Sequence, residues 1–145
     1  MIAIGSDHTG VYYKYLIIGF LKKKGYKIKD FGCYSYEKKV DYPDFIHPTV
    51  NFVEKGIANY GIILCGSGNG AAIIANKYSK IRAALVWNKE ISFLAKKHNN
   101  ANVISLPARF IISNELLDIV DIFINTNFEG GRHIIRIEKM FKKLN

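Results

Sequence analysis

A cysteine followed by a glycine-rich segment is the feature of this sequence that most clearly indicates chemistry. The apolar run Ile62-Ile63-Leu64 leads into Cys65-Gly66-Ser67-Gly68-Asn69-Gly70. Glycines allow a backbone to approach a ligand closely. The amides of such a turn and the N-terminus of a following helix attract anions. We therefore predict a strand-to-helix turn that holds a small anionic ligand.

The turn differs from two common phosphate-binding motifs. No Lys-Ser/Thr pair follows the glycines, which excludes a P-loop. With Ala71 at its end, the turn fits only the looser form of the dinucleotide fingerprint, and it follows the third predicted strand instead of the first. A glycine-rich connection without a ligand is the alternative at this point. Cys65 favours a functional site, because oriented amides and a helix N-terminus stabilise a thiolate that can act as a base or nucleophile. Cys33 lacks such a setting and is interpreted as structural.

Other polar residues fit a structural or a functional role. Asp7 follows the first predicted strand and fits either a helix N-cap or a catalytic carboxylate. His8 beside it fits the surface or a phosphate contact. His98 continues the apolar stripe of its predicted helix, which is typical of a core histidine, but Asn99-Asn100 after it indicates a helix end and partial exposure. Tyr42 fits a packing role.

Arginines form a further group of candidates. Arg132 and Arg136 are four residues apart and share one face of a predicted helix. Lys139 and Lys143 extend that face, as in a solvated basic surface. A phosphate clamp is the alternative, because the guanidinium fork matches a phosphate. Arg109 has the same two interpretations.

Hydrophobic patterns indicate the elements that must position these residues. Short apolar runs bounded by Gly, Asp, Asn or Pro predict buried strands over residues 2–5, 27–31, 61–65, 82–87 and 102–106. Apolar residues also recur at helical spacing, over residues 46–57, 91–98, 116–124 and 134–144. Pro48 leaves the start of the first of these helices open.

Alternating strands and helices predict a single domain over residues 1–145. The expected fold is α/β, a Rossmann-like three-layer sandwich with a five-stranded, mainly parallel sheet. Ligands of such sheets bind beyond the carboxyl ends of the strands. Asp7, Cys65 and residues 105–109 follow three of these strand ends, and we expect the site there.

Charge and composition allow several kinds of partner. The formal net charge of +9 favours anionic partners, either nucleic acid or a phosphorylated metabolite. The plain alternative is a lysine-rich composition with cations near helix ends, where the helix dipole favours them. No apolar run reaches the length of a membrane span, and two cysteines make no disulfide framework. We expect a cytoplasmic protein.

Seven segments in order resemble the ribose-5-phosphate isomerase B family, which belongs with the galactose-6-phosphate isomerase subunits in one superfamily. No single segment is diagnostic, but their order and spacing are specific, and the resemblance covers essentially the whole chain. The segments are Gly5-Ser6-Asp7-His8-x-Gly10, Asp41-Tyr42-Pro43, the Cys65–Gly70 turn, Ala75-Asn76-Lys77, His98-Asn99, Asn102-Val103 and Gly130-Gly131-Arg132-His133.

The resemblance implies an aldose-ketose isomerase of the non-oxidative pentose phosphate pathway. It would interconvert D-ribose 5-phosphate and D-ribulose 5-phosphate through an enediolate, with neither a metal nor an organic cofactor. The resemblance also implies a homodimer or a tetramer of dimers with shared active sites. The C-terminal helix, about residues 130–143, is expected at the dimer interface, and neither nucleic acid nor a membrane is an expected partner.

The resemblance also implies a role for each candidate residue. Cys65 would be the proton acceptor, His98 the proton donor that opens the sugar ring, and Asp7 and Ser67 would assist. The glycine amides would hold the enediolate oxygen, and His8 and the arginines the phosphate. The implied substrate-binding residues are Asp7, His8, Tyr42, Gly66, Ser67, Gly68, Asn69, Gly70, Asn99, Arg109, Arg132 and Arg136.

One departure within the family bears on the base. Some members lack the cysteine and use a glutamate just after the turn, where this chain has Ala71. The cysteine type is therefore indicated. Three other functions stay open: isomerisation of a six-carbon sugar phosphate, a non-catalytic phosphosugar- or nucleotide-sensing domain, and nucleic-acid binding, which rests on charge alone.

Overall fold

Five parallel strands form the centre of the fold in a computed structural model that describes residues 1–142. Their order across the sheet is β2-β1-β3-β5-β4, and every neighbouring pair is parallel. The five predicted strands are confirmed, although two are shorter than predicted. They are β1 (Ile2–Ser6), β2 (Ile28–Asp30), β3 (Tyr60–Cys65), β4 (Ala83–Leu85) and β5 (Val103–Pro107).

Six α-helices connect and follow these strands in the described part of the chain. Short 3-10 helices at His8–Gly10 and Ser113–Glu115 precede the first and the fifth of them. None of the helices has the length and apolarity that crossing a membrane requires. The helices are α1 (Val11–Lys23), α2 (Pro43–Glu54), α3 (Asn69–Ala75), α4 (Lys89–Asn99), α5 (Leu116–Asn125) and α6 (Arg132–Met140).

Helices cover both faces of the sheet, which confirms the predicted three layers. Successive side chains of a strand point to opposite faces. Accordingly, Ile62 and Leu64 of β3 belong to the core formed with α1, α4 and α5, whereas Ile63 and Cys65 belong to the core formed with α2 and α3. Cys65 therefore lies on the face where the glycine turn begins α3.

The start of α2 is earlier than the apolar pattern indicates. The helix begins at Pro43, and Pro48 lies inside it. A proline at the first helical position has a suitable φ and an amide whose loss costs nothing there. Pro43, and not Pro48, thus marks the start of the helix, and Tyr42 directly precedes its first turn.

α6 buries far less apolar surface than the other long helices. His133 is the one buried residue within Arg132–Met140, while Ile134 and the adjoining Phe141 are 47% and 46% exposed. The predicted apolar stripe is present, but the core of this chain does not cover it. Lys143 and Leu144, which the sequence places on the same helix, lie outside the described residues.

Candidate active site

The carboxyl ends of β1, β3 and β5 meet at Cys65. Cys65 is the last residue of β3 and is only 4% exposed. The Asp7 amide donates to the Leu64 carbonyl (3.1 Å), and the Ala108 amide donates to the Cys65 carbonyl (2.9 Å). These hydrogen bonds fasten the segments that follow β1 and β5 to the end of β3, as the parallel topology requires.

The turn after Cys65 needs glycine at its tightest point. Gly68 has a φ of +74°, and a Cβ there would lie 2.5 Å from Leu85 Cδ1 and 3.1 Å from the Pro107 amide nitrogen. The Ser105 hydroxyl donates to the Gly68 carbonyl at 2.6 Å. The turn is thus held between β4 and β5 in a backbone conformation that other residues rarely adopt.

Several amides of this turn have no internal acceptor. The Asn69 amide donates to Ser67 Oγ at 3.3 Å. The amides of Ser67, Gly68 and Gly70, by contrast, make no hydrogen bond within residues 1–142. Backbone amides seek an acceptor, so this group beside Cys65 is suited to a negatively charged oxygen.

Two side chains from other segments lie against the turn. A Cβ at Gly70 would be 2.5 Å from Tyr42 Cζ, and one at Gly66 would be 3.3 Å from Arg109 Nη1. The small glycines therefore admit a phenol on one side and a guanidinium on the other. Tyr42 and Arg109, both predicted from the sequence as site residues, lie next to the turn.

Asp7 combines the two roles that the sequence left open. It is the N-cap of the first 3-10 helix, and its Oδ1 accepts from the Thr9 amide (2.8 Å) and the Thr9 hydroxyl (2.5 Å). Both bonds end on Oδ1, so Oδ2 is available to a substrate hydroxyl. His8 Nδ1 accepts from the Val40 amide at 3.3 Å, which ties the 3-10 helix to the loop before α2.

His98 lies at the opposite end of the sheet from Cys65. It belongs to the last turn of α4. Lys96, in the same turn, has its Nζ 4.7 Å from the centre of the Tyr60 ring, which places this turn near the start of β3. Tyr60 starts β3 and Cys65 ends it, and a strand advances about 3.3 Å per residue. The two predicted proton-transfer residues are thus separated within one chain by on the order of 16 Å.

Two residues that the sequence analysis did not place in the site surround His98. The His98 and His133 rings stack with centroids 4.4 Å apart and 13° between their planes. Glu129 Oε2 is 3.9 Å from His98 Nε2, and Glu129 Oε1 is 3.9 Å from His133 Nε2. The available signals were the position of His133 directly after Arg132 and the i,i+4 spacing of Glu129 and His133.

Burial sets the charge of His133. Its Nε2 is buried and has no hydrogen-bond partner among the described residues. Burial lowers the pKa of His133 below its ordinary value, and the nearby charges of His98, Arg132 and Arg136 lower it further, against the opposing effect of Glu129. The His133 imidazole is therefore neutral near pH 7, next to a ring that is one-third exposed.

His98, Glu129 and His133 are also the one set of possible metal ligands in residues 1–142. Their ligand atoms lie within 4.8 Å of one another. Tetrahedral zinc with bonds of about 2.0–2.1 Å requires ligand atoms about 3.4 Å apart, and both Glu129 contacts are longer. The set is wider than a zinc site.

One cavity of the described residues lies away from Cys65. It has a volume of about 460 Å³ and lies between the α3–β4 connection and the end of α6, with Arg82, Asn99 and Phe141 among its lining residues. Arg132 and Arg136 are exposed on the same helix. The predicted site residues thus form two groups. One lies on the His98 side and consists of Asn99, Arg132 and Arg136, and the others lie on the Cys65 side.

A model of the ribose/galactose isomerase family matches residues 2–140. This chain belongs to the ribose/galactose isomerase family. A relative within the family, a ribose-5-phosphate isomerase B of Mycolicibacterium paratuberculosis, is 39% identical over 138 residues, which make up 94% of this chain and 87% of that protein. The family membership expected from the seven segments is confirmed.

Solved structures of family members share the fold closely. A ribose 5-phosphate isomerase from Thermotoga maritima is 44% identical and has a TM-score of 0.92 over 96% of this chain and 95% of that one. A ribose-5-phosphate isomerase B from Mycoplasma genitalium with bound ribulose-5-phosphate is 42% identical, with a TM-score of 0.92 over 97% of this chain and 93% of that one. The predicted α/β class is confirmed.

Proposed function

We propose that this chain is a ribose-5-phosphate isomerase that interconverts D-ribose 5-phosphate and D-ribulose 5-phosphate through an enediolate. The observation that carries the proposal is the thiol of Cys65 beside backbone amides that lack an internal acceptor. Family relatives carry this activity in their names, and one holds ribulose-5-phosphate. The reaction belongs to the non-oxidative branch of the pentose phosphate pathway, and we expect it in the cytoplasm.

Cys65 is the base in this proposal. An aldose-ketose shift moves one proton between C2 and C1, so a single base that reaches both carbons is sufficient. The amides of Ser67, Gly68 and Gly70 stabilise the negative charge that develops on the enediolate oxygen. The Ser67 hydroxyl and Asn69 complete the turn around the reacting carbons, so the step needs neither a metal nor an organic cofactor.

His98 opens the furanose ring before the isomerisation. The C1–O4 bond breaks as O4 takes a proton from His98 and the C1 hydroxyl gives one up to Asp7, with Tyr42 as a neighbouring hydroxyl. Oδ2 of Asp7 is available for this contact because the Thr9 hydrogen bonds end on Oδ1. The sugar then presents an open-chain aldehyde to Cys65.

Cationic side chains near Cys65 and near His98 bind the substrate phosphate. Arg109 lies beside the turn and His8 follows Asp7, while Arg132 and Arg136 extend from α6 near His98, with Asn99 as a further contact. The phosphate takes no part in the chemistry, so its binding energy positions the reacting end of the sugar.

We further propose that the active enzyme is a homodimer with sites shared between two chains. Within one chain, Cys65 and His98 lie at opposite ends of β3. A two-fold dimer can bring the His98 end of one copy to the Cys65 end of another. The exposed apolar side chains of α6 support this arrangement, since Ile134, Ile135 and Met140 are 47%, 57% and 55% exposed and contact with a partner would cover them.

Two measurements on the purified chain test the activity. Turnover of ribose 5-phosphate and of allose 6-phosphate separates a five-carbon from a six-carbon specificity, and we expect ribose 5-phosphate to be the better substrate. Loss of the label from C2-deuterated ribose 5-phosphate is expected if Cys65 removes that proton. Saturable binding without exchange would instead indicate a sensing domain and overturn the proposal.

A further inference from the structure

α6 buries one side chain, and it is a histidine. His133 is 3% exposed on a helix whose Ile134 and Ile135 are exposed, and its ring stacks on His98. We propose that His133 and Glu129 are positioning residues that hold the His98 ring in the orientation in which it takes part in sugar ring opening. This inference rests on the proposed role of His98.

The stack fixes the plane of the His98 ring. With 4.4 Å between centroids and 13° between planes, His133 covers one face of a side chain that is 35% exposed at the end of α4. A histidine in such a position would otherwise sample several rotamers. The buried His133 has little such freedom, so it holds its neighbour in one orientation.

Glu129 is fastened to the same helix end. Its amide donates to the Lys97 carbonyl at 3.0 Å, and its two carboxylate oxygens each lie 3.9 Å from one of the imidazole Nε2 atoms. Lys97 Nζ is 3.8 Å from Oε2. One anchored carboxylate therefore faces both rings and limits the orientations that they can adopt.

The chemistry of the two substrates separates ring opening from isomerisation. Ribose 5-phosphate is a furanose, which must open before Cys65 can act. Ribulose 5-phosphate cannot close in this way, because its C5 hydroxyl carries the phosphate. Exchange of the C1 hydrogen of ribulose 5-phosphate with solvent therefore depends on Cys65 and the amides but not on ring opening.

The test compares His133→Ala, His133→Phe and Glu129→Gln with Glu138→Gln, which removes an exposed carboxylate elsewhere on α6. In His133→Ala we expect kcat from ribose 5-phosphate to fall about 10- to 100-fold, whereas C1 exchange of ribulose 5-phosphate in D2O stays within about twofold. His133→Phe keeps a flat ring and should recover most of the loss. Glu129→Gln should lower kcat from ribose 5-phosphate less than His133→Ala does, again with C1 exchange unchanged, and Glu138→Gln should change neither rate.

The outcomes distinguish this inference from the proposed function. If the wild-type chain exchanges no C1 hydrogen, the isomerase proposal fails. If it does, and His133→Ala slows turnover and exchange equally or slows neither, the positioning role is wrong. Should His133→Ala fail to fold, an unchanged kcat from ribose 5-phosphate in Glu129→Gln, or a His133→Phe variant as inactive as His98→Ala, overturns the inference.

Discussion

The two ends of the β-sheet differ in how far one chain completes them. At the Cys65 end, strands, turn and side chains hold one another through Ser105, Leu85 and Tyr42. At the His98 end, α6 rests on α4 through a single buried histidine and exposes Ile134 and Ile135. The first end is thus built by the chain itself, whereas the second leaves apolar side chains exposed.

This difference separates two demands of the proposed reaction. Proton transfer between carbons needs rigid amides around the base, and the sheet core supplies that rigidity. Ring opening and phosphate binding need groups that approach from the other side of the sugar. In the proposed homodimer, a second copy supplies those groups without any insertion in a chain of 145 residues.

The largest effect is expected at the Cys65 end. Cys65→Ala removes the base, so kcat should fall by about a thousandfold or more while substrate binding persists. Cys33→Ala is the matched control: Cys33 is also buried, but its thiol donates to the Ser35 carbonyl. An assay of both variants on ribose 5-phosphate is sufficient, and near wild-type activity of Cys65→Ala would refute the base assignment.

Mixed dimers test whether the two ends belong to one site. Cys65→Ala and His98→Ala chains, carrying different tags and purified as heterodimers, should form one intact and one doubly deficient site. Activity should then return from near zero to about half that of the wild type. Heterodimers as inactive as the parent homodimers would show that Cys65 and His98 of the same chain act together.

The arginines of α6 should affect binding more than chemistry. Arg132→Gln or Arg136→Gln removes a charged hydrogen bond to the phosphate, and KM should rise about 10- to 100-fold with little change in kcat. Lys139→Gln removes a positive charge from the same helix, and less than a twofold change is expected. A rise in KM as large for Lys139→Gln would indicate a general charge effect.

Glycine substitutions measure the rigidity of the Cys65 end. Gly68→Ala forces a Cβ against Leu85 at positive φ and should lower the free energy of unfolding by about 2–4 kcal/mol. Gly19→Ala in α1 meets no atom within 4 Å and should raise it by about 0.5–1 kcal/mol. Denaturant unfolding of the two variants gives both values, and equal effects would contradict the picture of a tightly held turn.

The smallest effect concerns pH and the His98 end. The pKa of His133 is lowered by burial in the folded chain, so between that lowered value and 6.5 the unfolded chain binds more protons. Stability should therefore decrease as the pH falls below 6.5, and His133→Phe should reduce this decrease. His47→Phe removes an exposed histidine as the control. If the thermal stability of wild type and of His133→Phe changes equally with pH, the buried, neutral His133 is not the cause of the decrease.

Local patterns predicted most of the fold and half of the site. Apolar runs gave the strands, and the turn after Cys65, the cap at Asp7 and the end of α4 at Asn100 all follow from residue types. The position of Tyr42 on Gly70 depends on where α2 begins, and the pattern around Pro48 left that open. No role was predicted for Glu129 and His133, because their contacts with His98 arise only when the end of α4 meets the start of α6.

The exposed face of α6 also has a pharmacological consequence. In the proposed homodimer, a small molecule that covers Ile134, Ile135 and Met140 would inhibit the reaction without resembling a sugar phosphate, because it would keep one copy's arginines away from the other's thiol. Such an inhibitor would compete with the second subunit and not with the substrate. Its potency would therefore weaken as the enzyme concentration rises, which distinguishes it from any compound that binds beside Cys65.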